Sequence, residues 1–252
     1  MRVLKYMVLV SVLTGVLLGL AAGAGAATVQ EIKDRGVLRV AAEEEDLEPF
    51  DFVQDGVRVG LEVDLVQMVA DKLGVKAEFV RVPWDNGVTL CWDPAYPWDK
   101  FDMAASSISM NSARAEVCDF SEWYITTGQM LLVRADSGYK SLEDLKDKKI
   151  ACLAGSTIED VTKANFPAEN ALALPTYDAM IDAVRSKKAD AAVYDGPQII
   201  LLAKKDPTFV VLEDLLAKDR YGVALPKGSD LKAVVDEVIL EHRKALYDKW
   251  MK

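Results

Sequence analysis

The chain has 252 residues and carries 40 Asp and Glu against 30 Lys and Arg, a formal net charge of -10 at neutral pH. Such an acidic balance repels phosphate backbones and anionic lipid surfaces, so nucleic acid and membrane surfaces are excluded as main partners. The length suits one large α/β domain or two smaller lobes, and an apolar content of 51% supplies a core for either.

In chain order, the first element is a targeting segment. Arg2 and Lys5 precede an apolar run from Met7 to Leu20, and the small residues Ala21 to Ala27 follow. The run is shorter than the ~20 residues that cross a bilayer. With Ala24-Gly25-Ala26 before the break, it reads as a secretory signal peptide, residues 1–26, cleaved after Ala26. No cysteine sits there to take a lipid, so the expected compartment is the periplasm.

Beyond it, short apolar runs alternate with amphipathic helical patterns, which predicts parallel sheets covered by helices. Gly36 to Ala42 reads as the first strand. Leu61 to Leu73 reads as a helix with Leu65, Val66, Val69 and Leu73 on one face, stopped by Gly74. Val75 to Val82 returns as a strand. Pro94 and Pro97 allow only a short helix after Trp84, followed by an irregular loop. Strands are then expected at Phe101 to Ser106, Met130 to Arg134 and Lys149 to Leu153, the last leading into a helix near Ser156. A helix around Tyr177 to Val184, a strand from Ala189 to Tyr194 and a long helix from Leu231 to Trp250 complete the pattern. There is no low-complexity linker, so two lobes would be joined by short extended crossings, with Tyr124 to Gly128 and Arg220 to Val223 as candidates.

Three cysteines leave at least one unpaired in a monomer. Cys152 falls in an apolar strand, as a buried thiol would. Cys91 and Cys118 are either a disulfide or two more free thiols, and their spacing does not resemble a zinc site. Catalytic signals are missing: the one histidine, His242, lies on the last helix, and no nucleophile elbow, Walker loop or metal motif occurs.

Binding is the better hypothesis, and four features suit a zwitterion. Ala154-Gly155-Ser156-Thr157-Ile158-Glu159 runs from strand to helix, with Ser156 and Glu159 spaced as a capping box. Its free N–H groups attract a carboxylate, though plain capping explains the same residues. Ser106 to Arg114 follows a strand end with Ser107 and Ser109, and Arg114 can grip a carboxylate with two parallel hydrogen bonds. Asp195 ends another strand, where it can receive an ammonium, and Trp84 can wall a ligand side chain. Each alone is equally compatible with a surface ion pair or a core aromatic.

Gly36-Val-Leu-Arg-Val40, Val59-Gly-Leu-Glu-Val-Asp-Leu65, the Ser106 to Arg114 stretch, Asp119-Phe-Ser121, Ser141-Leu-Glu-Asp-Leu145, Ala189-Asp-Ala-Ala-Val-Tyr-Asp195 and Tyr221-Gly-Val-Ala-Leu-Pro-Lys-Gly-Ser229 occur in this order. Together they closely resemble the polar amino-acid-binding proteins of ABC importers, bacterial extracellular solute-binding protein family 3. The resemblance implies an α/β, two-lobe periplasmic binding protein type II fold with parallel-rich sheets, helices on both faces and a hinge of two crossover segments. Lobe 1 would hold residues 27–125 plus 222–252, and lobe 2 residues 126–221.

It also implies a site: Arg114, Ser156 and Thr157 for the ligand carboxylate, Asp195 with Ser107 and Ser109 for its ammonium, Trp84 as an aromatic wall. An acid near Glu44 would select polar or cationic side chains. The implied partners are an amino acid and the permease of an ABC transporter in the inner membrane, with the protein a monomer and no cofactor or metal. Leu47 departs from the pattern, since family members usually carry an aromatic there, and the insertion from Cys91 to Asp99 is unusual. The same fold resembles periplasmic cyclohexadienyl dehydratases, which need an acid where this chain has Gln198. A ligand-sensing partner of a membrane receptor would show the same pocket.

Overall fold

The computed structural model describes residues 27–84, 88–93 and 98–252. The signal-peptide segment and parts of the insertion lie outside the described residues. Helix α1 (Val29–Arg35) starts at a capping box in which Thr28 Oγ1 accepts from the Glu31 N–H and the Glu31 carboxylate accepts from the Thr28 N–H. Strand β1 (Val37–Glu43) follows, then a hairpin of β2 (Phe52–Gln54) and β3 (Val57–Val59). Its turn residues Asp55 and Gly56 both take positive φ, as a two-residue hairpin loop requires.

Helix α2 spans Leu61–Leu73 and ends at Gly74 with φ of 73°, where the expected stop signal stands. Then come β4 (Lys76–Val82), a 3-10 turn at Val88–Trp92, β5 (Met103–Ala104), α3 (Ser112–Val117) and β6 (Asp119–Phe120). The long β7 (Ile125–Arg134) leads to β8 (Ile150–Leu153), α4 (Thr157–Asn165), β9 (Ala171–Leu174) and α5 (Tyr177–Arg185). The chain closes with β10 (Ala191–Asp195), α6 (Gly196–Lys205), β11 (Phe209–Val211), β12 (Ala217–Tyr221), β13 (Ala224–Leu225) and α7 (Leu231–Trp250).

Two sheets carry the fold. One has the order β4-β1-β5-β13-β6, the other β11-β7-β10-β8-β9 with β12 also paired to β7. Their centres are parallel as expected, β1 with β4 and β5, β8 with β9 and β10. The remaining pairings are antiparallel: β7 and β13 run antiparallel to every neighbour. Both return the chain from one sheet to the other, and a returning strand meets its neighbours head to tail.

One face of the first sheet packs on α1, α2 and α7 through Leu38, Leu65, Val69, Val235 and Ile239, all fully buried. Its other face carries Ala41, Trp84 and Ile108 into a core continuous with that of the second sheet. The chain passes between the sheets after β6 and after β12, and the two passages lie side by side: Ile125 pairs with Tyr221, Arg220 with Thr126, and the Tyr124 N–H donates to Tyr221 O at 3.0 Å. No helix among the described residues is long and apolar enough to cross a membrane. Cys91, Cys118 and Cys152 are all free and buried, which decides the open question of Cys91 and Cys118 in favour of thiols.

Candidate functional site

Strand ends and helix starts of the two sheets meet face to face. Ser106, Ser107 and Ser109 follow the end of β5; Leu153 ends β8, and Ser156 caps α4 with its Oγ accepting from the Ile158 N–H at 3.2 Å. Asp195 ends β10 and is the N-cap of α6. These residues, with Glu43, Leu47, Trp84, Thr157, Ile158 and Tyr194, enclose a cavity of about 20 Å³. Ser109 Oγ and Thr157 Oγ1, from opposite walls, are 2.9 Å apart, so the cleft is closed by a hydrogen bond across it.

The anticipated capping box at Ser156 is rearranged. The Glu159 carboxylate accepts from the Gly155 N–H at 2.8 Å, one residue before the cap, and pairs with Lys163. Ser156 Oγ donates back to Leu153 O at 2.7 Å. Of the N–H groups that open α4, that of Ile158 is spent on Ser156 Oγ and that of Glu159 on Ser156 O at 3.2 Å.

Arg114 is buried behind the Ser109 turn, donating from Nη1 to Ser109 O at 2.9 Å. Desolvation lowers its pKa to about 10. Opposite it stand acids. Asp195 is wholly buried and accepts from Gln129 Nε2 at 2.8 Å, while the Tyr221 hydroxyl approaches it without closing a bond of ordinary geometry. Burial raises the Asp195 pKa to about 7, and the charge of Asp219 adds to the rise. Asp219 Oδ2 in turn accepts from Ser109 Oγ at 2.5 Å and from Gln129 at 2.8 Å.

Sequence reasoning placed the selecting acid at Glu44. The structure exposes Glu44 and turns Glu43 into the cavity, because β1 continues one residue past Ala42. Burial, reinforced by the charges of Glu45, Glu62 and Glu44, pushes the Glu43 carboxyl up to about 8. Arg81 reaches only the Glu43 carbonyl and spends its remaining donors on Asp51. Glu62 was also missed. Its carboxylate, buried at the start of α2, accepts from the Ser107 N–H at 2.6 Å and from the Tyr124 hydroxyl, holding Ser107 at a positive φ of 50°. Gln129 and Asp219, which meet Asp195 and Ser109 here, were likewise given no site role from the sequence. The expected Trp84, Ser107, Ser109, Ser156, Thr157 and Asp195 all line the one cavity, and Arg114 backs it.

The family model for the bacterial extracellular solute-binding proteins, family 3, matches residues 38–252. The chain belongs to that family. It is thus a solute-binding protein with a two-lobe type II periplasmic-binding fold. The L-cystine-binding protein TcyJ of Escherichia coli K12 is 30% identical over 235 residues, 88% of this chain and 85% of the relative. The cyclohexadienyl dehydratase of Pseudomonas aeruginosa is 27% identical over 216 residues, 83% of this chain and 78% of that enzyme. The amino acid ABC transporter substrate-binding protein AbpA from Streptococcus pneumoniae, solved with L-arginine, superposes with a TM-score of 0.79 at 29% identity. That match covers 88% of this chain and 95% of AbpA.

Proposed function

We propose that this solute-binding protein captures a polar amino acid in the cleft between its lobes and delivers it to the permease of an ABC importer. The observation that carries the reading is Asp195, a wholly buried carboxylate facing a row of serines across a closed cleft, with Arg114 behind them. An ammonium would take Asp195, helped by Ser107 and Ser109. The carboxylate would take Arg114 and the N–H and hydroxyl groups of Ser156 and Thr157. Trp84 supplies an apolar wall, and Glu43 favours a side chain that carries a cation or a hydrogen-bond donor.

The lobes are residues 27–125 plus 222–252 and residues 126–221. The protein acts as a monomer after export to the periplasm by cleavage of residues 1–26. A dehydratase needs a group acidic enough to protonate a departing hydroxyl, and the carboxamide of Gln198 is not. That supports a binding protein over an enzyme, as do the names borne by the TcyJ and AbpA relatives.

The test is a thermal-shift screen across the amino acids followed by calorimetry on two variants. A true ligand at about 100 times its Kd stabilises the protein by ~2.7 kcal/mol. Arg114→Ala is expected to cost on the order of 2 to 5 kcal/mol of binding while the protein stays folded. Asp195→Asn should weaken α-amino ligands far more than their des-amino analogues. Unchanged affinity in Arg114→Ala, or equal loss for both ligand types in Asp195→Asn, would reject the assignment.

A further inference from the structure

Asp219, the middle residue of β12, draws on groups that a ligand carboxylate needs. Ser109 Oγ donates to its Oδ2 at 2.5 Å, and the same Oγ lies 2.9 Å from Thr157 Oγ1 on the opposite wall. A hydroxyl has one proton to give, and an ionised carboxylate has none. The Ser109 proton is therefore spent on Asp219, and in the contact across the cleft Thr157 has to be the donor. Both hydroxyl protons run in one direction, from Thr157 through Ser109 to Asp219, and neither is left for a carboxylate in the cleft.

Arg114 is drawn the same way. Its Nη1 donates to Ser109 O at 2.9 Å, so the guanidinium stands behind the residue that Asp219 holds. Burial lowers the Arg114 pKa, and of the charges that oppose the fall Asp219 acts most strongly, ahead of Asp160 and Asp195. The Asp219 carboxylate is itself fixed, accepting from the Arg220 N–H at 2.7 Å and from Gln129 Nε2 at 2.8 Å. That Gln129 nitrogen also donates to Asp195 at 2.8 Å, so the charge of Asp219 reaches the ammonium end of the site as well. Asp219 thus favours one end of a zwitterion and opposes the other.

We propose that Asp219 is an internal competitor of the ligand α-carboxylate for Arg114, Ser109 and Thr157, and that it sets how much this carboxylate contributes to binding. The inference rests on the reading of the main cleft as an amino-acid site. An entering carboxylate has to turn the two hydroxyls toward itself and share the guanidinium with a fixed negative charge. A carboxamide brings no charge for Asp219 to repel, so the acid at position 219 narrows the gap between an amino acid and its α-amide. Asparagine in its place would keep the shape, and its amide nitrogen can donate to Ser109 Oγ, which returns both hydroxyl protons to the cleft.

Calorimetry at about pH 6, where the α-ammonium groups are charged, tests this with L-arginine and L-glutamine, each against its α-carboxamide. The members of a pair share side chain and ammonium and differ only in the group that Asp219 opposes. In Asp219→Asn the preference for acid over amide should grow roughly fivefold in both pairs. Ser109→Ala breaks the relay at its middle and frees the Thr157 hydroxyl, so the same ratio should grow about twofold there, which keeps the test open if Asp219→Asn fails to fold. A role for Asp219 in the fold alone would weaken acid and amide alike. A ratio that stays level or falls in whichever variant folds overturns the competition and leaves the cleft standing as an amino-acid site. If neither amino acid binds the wild type, the reading of the main cleft falls and this one with it.

Discussion

The residue that separates a general amino-acid cleft from a selective one is Glu43. Its carboxyl is pushed up to about 8 by burial, and no cation among the described residues holds it down, so a ligand that brings a positive charge restores what burial removed. Glu43→Gln is expected to lower affinity for ligands with a second ammonium or a guanidinium by ~1 to 3 kcal/mol and to spare neutral ones. Glu44→Gln, on an exposed side chain, should change either by less than about 0.5 kcal/mol. Calorimetry on both variants decides between the neighbours. Tight binding of glutamate by the wild type would contradict the acidic wall, since its second carboxylate would lie beside Glu43.

The one-residue error over Glu44 has a physical source. In a strand a shift of one position reverses the direction of a side chain, and the sequence Val-Ala-Ala-Glu-Glu-Glu contains nothing that fixes where pairing with β4 ends. The ladder in fact runs to Glu43 opposite Val82. Asp195, Ser156 and Arg114 were legible because strand ends and helix starts announce themselves through caps and hydroxyl clusters. Asp219 was not, since Lys-Asp-Arg resembles solvated charge. Only its partner strand makes the alternation of β12 visible: Lys218 and Arg220 outward, Asp219 toward the cleft.

Among the elements, helices were read to the residue where chemistry marks their ends. Helix α2 has its αL glycine at position 74, and α7 follows a steady apolar face through Val235, Val238 and Ile239. Short strands such as β5, β6 and β13, two residues each, have no periodicity to read and exist by virtue of their neighbours. The start of α2 depends on Gly60, which holds φ of 141° with its α-carbon against Phe50. A Cβ there would lie 2.1 Å from Phe50 O, a backbone atom unable to step aside. Gly60→Ala should therefore destabilise by on the order of 3 kcal/mol, seen as a fall in Tm of roughly 10 °C. Because Glu62 follows two residues later and holds the Ser107 turn, ligand affinity should drop with it. A variant with wild-type Tm would show that the turn relaxes freely.

For the whole molecule, closure is linked to protons. Glu43 and Asp195 face the cleft with pKa values raised to about 8 and about 7, in both cases chiefly by burial. A carboxyl whose pKa is raised in the closed form keeps its proton there while the open form releases it. The closed form without ligand is thus unpenalised near pH 4 and loses stability as pH climbs, fully so above about 8. Small-angle scattering should find the radius of gyration of the ligand-free protein larger at pH 8.5 than at pH 5, with saturating ligand removing the difference. A radius that shrinks with pH would rule this linkage out. Interlobe contacts at the rim, Glu45 accepting from the Tyr177 N–H at 3.0 Å and Glu48 paired with Lys205, set how far the balance must tilt before the lobes part.

The first sheet is stitched from both ends of the chain, whereas the second is drawn from one unbroken stretch. Strand β13 is wedged between β5 and β6, and α7 packs on α2, so nearly every layer of the first lobe waits for residues beyond Tyr221. A chain made from its N-terminus onward would finish the second lobe while the first still lacks an inner strand and its longest helix. Truncation after Tyr221 should then leave β7 to β12 protected in hydrogen exchange and β1 to β6 exchanging freely. Equal protection in both halves of that fragment would mean that the first lobe assembles without its closing strand. Biosynthetic timing would in this way keep the ligand site unformed until the last helix is in place, since Glu43, Trp84 and the serine row all belong to the half that waits.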